Sequence, residues 1–422
     1  MKVTKLLGYQ VLDSRGRPTV AASITLEDGS THTARVPSGA STGKHEALEL
    51  RDGDQLGHNG FYGALSVSKA VENVNTRIAP LIIGKQVALD FIDGEIRTID
   101  TTSNFSLLGA NATLTVSLAA AKASAHARNV SLARYFQPEG NLLIPMPMVN
   151  ILSGGAHANR SLDFQDVLVV PTGAGSFTEA LSWVVAIRET AARLGSKAGM
   201  ITHLVADEGG LGIAFESIEL AIEFVIEAID KVGLKSGSQV SLALDVASTQ
   251  FFNNGTYNLA TSQKSYSSAD FVSYINNLVT SYPIVSIEDP FAEDDWESWN
   301  AFMRIAPKNL QVLGDDLLTT NSNRLEKAIN QKSANSILIK PNQNGLVTDT
   351  HTVLKAAQSA GFKTVVSARS GETEDSWLSD LATGWRAGQI KVGSTHGSER
   401  TAKWNRLLEL EQIEEVEFSK PF

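Results

Sequence analysis

Five charged residues constrain this chain more than any other feature, because each closes a short apolar run. V-S-L-A-L-D ends at Asp245, I-V-S-I-E carries Glu288, Q-V-L-G-D-D carries Asp315, S-I-L-I-K ends at Lys340 and G-Q-I-K at Lys391. A charge that ends a buried strand is costly unless something compensates it. Five in succession predict one convergent polar site at one end of a parallel sheet. The first four are spaced by 43, 27 and 25 residues. The two shorter steps each fit one strand, one helix and two loops, the βα repeat of a barrel whose C-terminal strand ends hold the chemistry. Three carboxylates gathered there read as a hard-cation site, with Mg²⁺ first among the candidates.

Length and charge narrow the class. A chain of 422 residues points to more than one domain. With 42% hydrophobic and 19% charged residues it can build a sizeable core. A formal net charge of −10 argues against nucleic acid or an anionic membrane as the main partner, while leaving room for a local basic pocket that binds a small anion. The absence of cysteine excludes disulfides, thiolate metal sites and a cysteine nucleophile. No apolar run nears the roughly 18 residues of a membrane span. The start, M-K-V-T-K-L-L-G-Y-Q, turns polar too soon for a signal peptide, so a soluble cytoplasmic protein is expected.

Residues 1 to about 36 alternate apolar and polar around an E-D-G-S turn at Glu27–Ser30, which predicts an antiparallel meander. Val67, Val71, Val74 and Ile78 then repeat at helical spacing, and Asn111 is a candidate N-cap for a helix carrying Leu114, Leu118, Ala121 and Ala125. Strands followed by helices predict a small α+β domain over 1–135. Pro138, Gly140, Pro145 and Pro147 punctuate the boundary. Over 136–422 apolar runs alternate with helical stretches near 178–194, 216–232, 295–306, 348–360 and 399–411. The predicted fold is an α/β protein: a β/α (TIM-type) barrel preceded by the smaller domain.

Several local signals surround the acids. One strand-end acid alone reads equally well as a helix cap; three, with lysines at the next strand ends, do not. Pro341 disfavours helical geometry at Lys340, placing it extended at its strand tip. Near Lys391 and a metal, Lys340 is expected to have its pKa lowered by like charge, as a neutral general base requires. Arg369 and Ser370, just past K-T-V-V-S, offer a planar fork and a hydroxyl suited to an oxyanion or phosphate, although a loop capping the next helix is as plausible locally. The loop P-S-G-A-S-T-G from Pro37 to Gly43 can supply backbone N–H groups to a phosphate, but lacks the spacer of a Walker motif. Glu208 lies in V-A-D-E-G-G-L-G, and His157 in L-S-G-G-A-H-A, shortly before Gln165 and Asp166. A lone histidine is more often structural than catalytic; the neighbouring Gln165 and Asp166 add weight to His157.

Together these pieces resemble the enolase family. The resemblance runs from V-L-D-S-R-G-R-P-T to G-S-E-R-T-A-K-W-N-R-L-L, and its most specific strings are V-P-S-G-A-S-T-G-K-H-E-A-L-E-L-R-D, S-I-E-D-P-F-A-E-D-D-W, I-K-P-N-Q and S-G-E-T-E-D. It implies a small N-terminal α+β domain over a barrel that opens with two strands and two helices, a homodimer, and a hydro-lyase that dehydrates 2-phosphoglycerate to phosphoenolpyruvate with two Mg²⁺ ions. A lysine base and an Mg²⁺-stabilised enediolate are the general pattern of that superfamily. By position, the resemblance implies Asp245, Glu288 and Asp315 as ligands of the first metal and Ser41 as the loop ligand of the second. Lys340 matches the base, Glu208 the acid that protonates the leaving hydroxyl, and Lys391 a contact to the substrate carboxylate. His157, Gln165, Asp166, Arg369 and Ser370 fall at substrate and phosphate contacts.

The departures are local. Ala368 stands where the family has a histidine before the Arg-Ser pair, and Asp166 where it has a glutamate. The D-E-G-G segment continues L-G-I-A-F in place of the usual Ala-Pro step, and Gly397 replaces a common arginine. The first two lie on the acid side, whereas the metal and base side is complete. The leading expectation is therefore an enolase-type lyase acting on a small phosphorylated acid. A second is a paralogue dehydrating a phosphonylated analogue, such as a carboxyphosphono acid going to carboxyphosphonoenolpyruvate. A third is a catalytically weak metal-binding scaffold, which the retention of both Lys340 and Glu208 disfavours.

Overall fold

The computed structural model describes residues 1–39, 43–53 and 61–422. Ser41, the expected second-metal ligand, lies outside the described residues. The predicted meander is present as β1 (Val3–Leu12), β2 (Pro18–Leu26) and β3 (Thr31–Arg35), paired antiparallel in that order. β2 is central and almost wholly buried, because the helix Ala110–Ala127 packs along it. That helix is rich in alanine and buries Leu114, Leu118, Ala121 and Ala125 along with most of its other residues. Small side chains let it approach closely enough for Thr115 Oγ1 to donate to the Val20 carbonyl at 3.0 Å. Asn111 is not its N-cap: Gly109, at φ +90°, holds that position. The Asn111 amide instead exchanges two 3.1 Å hydrogen bonds with the backbone of Leu50, pinning the segment that leads to the cleft.

Eight strands then close into a barrel: β4 (Met146–Ser153), β5 (Asp166–Val170), β6 (Ser241–Asp245), β7 (Ile284–Glu288), β8 (Gln311–Gly314), β9 (Ser336–Ile339), β10 (Lys363–Ser367) and β11 (Gln389–Gly393). Each expected helical stretch is found, as Phe177–Lys197, Ile218–Val232, Trp296–Ile305, Val347–Ser359 and Ser398–Ile413. The sheet departs from the all-parallel expectation at one strand, since β5 runs antiparallel to both β4 and β6. The reversal has a chemical consequence. Because β5 runs backwards, its first residue, Asp166, arrives beside the last residue of β6, Asp245, at the rim where the other strands end. The long step from Asp245 to Glu288 is accounted for by a three-stranded ribbon of Phe252–Asn253, Thr256–Leu259 and Lys264–Ser267 inserted before the next helix.

Inside the barrel Met146, Met148, Leu168, Val170, Ala243, Leu313, Leu338 and Val365 form a separate apolar cluster. It is a packed floor, so polar chemistry is confined to the rim above it. Among the described residues no helix is long and apolar enough to cross a membrane.

The two parts meet at a buried acid. Asp93, on the helix Leu89–Ile99, accepts through Oδ2 from Ser117 Oγ (2.9 Å), Thr348 N (3.2 Å) and Thr348 Oγ1 (2.8 Å). Its Oδ1 has no partner among the described residues. Burial pushes the Asp93 carboxyl up to about 7 from an ordinary 3.8, despite those donors. The folded state thus holds this proton more tightly than the unfolded chain does, and stability falls as pH rises between those two values. Asp93→Asn should raise the melting temperature more near pH 8 than near pH 5. Equal shifts at both, read by calorimetry, would show that Asp93 is already ionised in the folded state at pH 5 and that its carboxyl is not raised.

Candidate active site

Four of the five strand-end charges sit where the sequence places them. Asp245 and Glu288 end β6 and β7, while Asp315 and Lys340 each follow their strand by one residue. Lys340 is extended, at φ −118° and ψ 107°, as its proline neighbour requires. Lys391 differs: it is the third residue of β11, which continues to Gly393. Its side chain still reaches the rim, where Nζ donates to Asp245 Oδ2 at 2.7 Å and Glu288 Oε2 at 2.8 Å. Lys340 Nζ donates to Asp315 Oδ2, and the other Asp315 oxygen accepts from Gln343 Nε2 at 2.8 Å. Gln165 Nε2 donates to Asp245 Oδ2 at 2.9 Å, and is itself oriented by Gln250 at 2.7 Å.

The expected lowering of the Lys340 pKa included a metal ion beside the amine; the protein groups alone act in the other direction. Burial is the largest influence and favours the neutral amine, as do Arg369 and Lys391, but the carboxylates, Asp315 first and then Glu288, together raise the pKa. Lys391 is held well above the ordinary lysine value, because Asp245 and Glu288 overcome its burial. Like charge loses to a direct anionic contact in a buried site.

The opposite wall carries His157, Glu208 and Asp166, all buried. His157 Nδ1 lies 3.2 Å from Asp166 Oδ2, and Nε2 lies 3.7 Å from Glu208 Oε1. Burial favours a neutral ring, but Glu208 and Asp166 override it and push His157 up to about 9. Burial likewise favours a neutral Glu208; His157, Arg400 and the two lysines reverse this and hold it below the usual carboxylate range. Burial raises the Asp166 carboxyl even beside His157, while the anions around the imidazole favour its charged form. Asp166 Oδ1 also accepts from Asn150 Nδ2 and from Ser153 Oγ at 3.1 Å, so the short aspartate is drawn back against β4.

A third group sits past the end of β10. Arg369 Nη1 and Nη2 donate to the two carboxylate oxygens of Glu46 at 2.8 and 3.3 Å, and Nη1 also to Asn342 Oδ1 at 3.2 Å. Ala368 lines the same cleft as Lys340, Lys391, His157 and Glu208. Glu46, Asn342 and Gln343 had no assigned role, although the strings G-K-H-E-A and I-K-P-N-Q contain them. What a linear string does not reveal is that Glu46, from the smaller domain, closes on an arginine 323 residues away.

The donor set fits a hard divalent cation. Asp245, Glu288 and Asp315 offer only carboxylate oxygens, and all three are buried. The acids also exceed what the lysines neutralise, since burial and then Asp245 raise the Glu288 carboxyl well above its usual range despite Lys391. Among the described residues, the acidic group whose ligand atoms lie within 4.8 Å of one another is Asp289, Asp315 and Asp316, not the expected Asp245, Glu288 and Asp315. Asp289 is committed elsewhere: it adopts φ +41° and accepts the backbone N–H groups of Asp315 (3.0 Å) and Asp316 (2.7 Å). It shapes the loop after β8 and leaves Asp315 to face the cleft.

Comparison with known families agrees with this architecture. The family model described as enolase, N-terminal domain, matches residues 3–136, and that described as enolase, C-terminal TIM barrel domain, matches residues 141–419. Together they span nearly the whole chain, a barrel whose rim gathers buried carboxylates, lysines and a histidine. The chain therefore belongs to the enolase family, with the metal-dependent, lyase-type chemistry on small acids that this family supports.

Proposed function

We propose that this protein reversibly dehydrates 2-phosphoglycerate to phosphoenolpyruvate, with Mg²⁺ as cofactor. The observation that supports the reading is that Lys340 and the His157–Glu208–Asp166 group lie on opposing walls. Lys340 follows β9 and Asp166 opens β5, and these strands are diametrically opposed in the closed order β7-β8-β9-β10-β11-β4-β5-β6. Lys340 removes the proton from the carbon beside the carboxylate, and the electron pair moves into that carboxylate as an enediolate. The carbon–oxygen bond at the next carbon then breaks, the double bond forms, and hydroxide leaves as water with the proton held by the His157–Glu208 pair. A positioned acid is needed because hydroxide is a poor leaving group. Lys391 contacts the substrate carboxylate, and Arg369 with Ser370 takes the phosphoryl group once Glu46 yields it. Asp245, Glu288 and Asp315 would hold one ion and Ser41 a second; bound there, Mg²⁺ supplies positive charge where the enediolate develops and neutralises the acids that keep Lys340 protonated.

Ala368 favours a second reading, a substrate with a larger phosphoryl substituent such as a carboxyphosphono acid. A methyl group there leaves room in the cleft that an imidazole would fill. Asp166, drawn back toward Asn150, weakens support for the leaving group. Misplacement on the order of 1 Å can cost about 10²-fold in rate. Elimination from 2-phosphoglycerate should therefore be more impaired than proton exchange at carbon 2. The check compares deuterium exchange with product formation in the native protein and in Ala368→His/Asp166→Glu. A native protein that turns over 2-phosphoglycerate rapidly, unimproved by the double substitution, would leave the plain reaction standing and remove the specialised one.

A further inference from the structure

Arg400 lies in the first turn of the helix Ser398–Ile413 with its side chain fully buried. A cation at a helix N-terminus opposes the macrodipole, so helix stability does not explain it. Its hydrogen bonds do. Nη1 donates to the backbone carbonyls of Arg369 (2.7 Å) and Val392 (2.9 Å), and Nη2 to those of Ser370 (2.6 Å) and Asp207 (3.3 Å). These four carbonyls come from three stretches distant in sequence: the turn after β10, the end of β11, and the segment 198–217. Each belongs to a cleft residue or to its immediate neighbour, namely Arg369, Ser370, Lys391 and Glu208. Glu208 is also tied directly to the end of β11, because its carbonyl accepts from Ser394 N at 2.8 Å. A Cβ on Gly393, at φ +106°, would fall 2.8 Å from that carbonyl, so the two backbones meet where a side chain cannot fit.

We propose that Arg400 is a positioning residue whose planar fork fixes Glu208 relative to the Arg369–Ser370 clamp. The inference rests on the proposed roles of those residues, but its geometry does not depend on which acid is the substrate. Lys403, one turn later, strengthens the same joint: Nζ lies 2.9 Å from Glu372 Oε2, and Glu372 Oε1 accepts from Arg369 N at 3.1 Å. A lysine at position 400 would keep the charge but not the fork, and a single ammonium on a flexible stem cannot reproduce two nitrogens that each serve two carbonyls.

The test uses Arg400→Lys in the full-length protein, with Arg406→Gln as control. Arg406 lies on the same helix but pairs with Asp380 and Glu409, away from the cleft. Amide hydrogen exchange should show lost protection over 205–211, 368–373 and Ser394 in Arg400→Lys, with barrel strands unchanged. With 2-phosphoglycerate and Mg²⁺, kcat should fall about 10²-fold with a much smaller change in KM, the scale expected of a misplaced group. Arg406→Gln should leave both readouts at the native level. Should Arg400→Lys not fold, native-state exchange of the unmodified protein decides, since the three stretches must then open together as one unit. Independent opening, or native protection and kcat in folded Arg400→Lys, overturns the proposal. A native protein inert toward 2-phosphoglycerate would overturn the proposed reaction instead, and the exchange data would still decide on Arg400.

Discussion

Replacing Lys340 with alanine is expected to lower dehydratase turnover by about 10⁴-fold or more, at the upper end of what one acid–base group supplies, because this lysine also offsets charge developing on the substrate. The choice of Lys340 over Lys391 follows from their partners. Lys391 is pinned by two buried carboxylates, which favour its charged form twice over. Lys340 has one such partner, Asp315, and is freed once that acid is neutralised. Deuterium exchange at carbon 2 should stop in Lys340→Ala, while Lys391→Ala should mainly raise KM. Raising Mg²⁺ should not restore Lys340→Ala, since no proton acceptor remains. Exchange that persists at the native rate would assign the base to another residue. The substitution also leaves Asp315 buried without its cation, so some loss of stability without Mg²⁺ is expected, and added Mg²⁺ should reverse it.

How much of this was legible in the chain depends on how local each signal is. Strand-end charges, the Pro341 constraint and the helical spacing of the barrel helices are short-range, and the structure places them within a few residues of expectation. The reversed β5 was not legible from periodicity, because a buried strand of D-V-L-V-V reads alike in either direction; only the resemblance implied a barrel opening with two strands. The pairing of Arg369 with Glu46 joins two parts of the fold, and no spacing rule reaches that far. Lys340 is a case of another kind. Its neighbours include the expected second cation, but the balance among the protein groups turns on which anions reach the amine, a matter of side-chain reach. Arg400 escaped notice because its partners are carbonyls, and backbone acceptors leave no mark on a sequence.

Asp315→Asn separates metal from base. The substitution keeps the shape of the side chain and removes its charge, so the amide loses both the pull on Lys340 and most of the worth of this position as a Mg²⁺ ligand. These effects oppose each other. Without the anion, burial is left to favour the neutral amine at Lys340, which by itself would help proton removal. Loss of one of three carboxylate ligands should weaken Mg²⁺ by about 10- to 100-fold at least, the range found even for outer partners of metal ligands. The metal term should dominate, because the enediolate carries its charge where only a cation on the carboxylate can stabilise it. Turnover at ordinary Mg²⁺ should therefore vanish in Asp315→Asn and return in part as Mg²⁺ is raised, unlike Lys340→Ala. Calorimetry of Mg²⁺ binding decides the matter. An affinity equal to that of the native protein would remove Asp315 from the metal site and leave it solely as the counter-ion of Lys340.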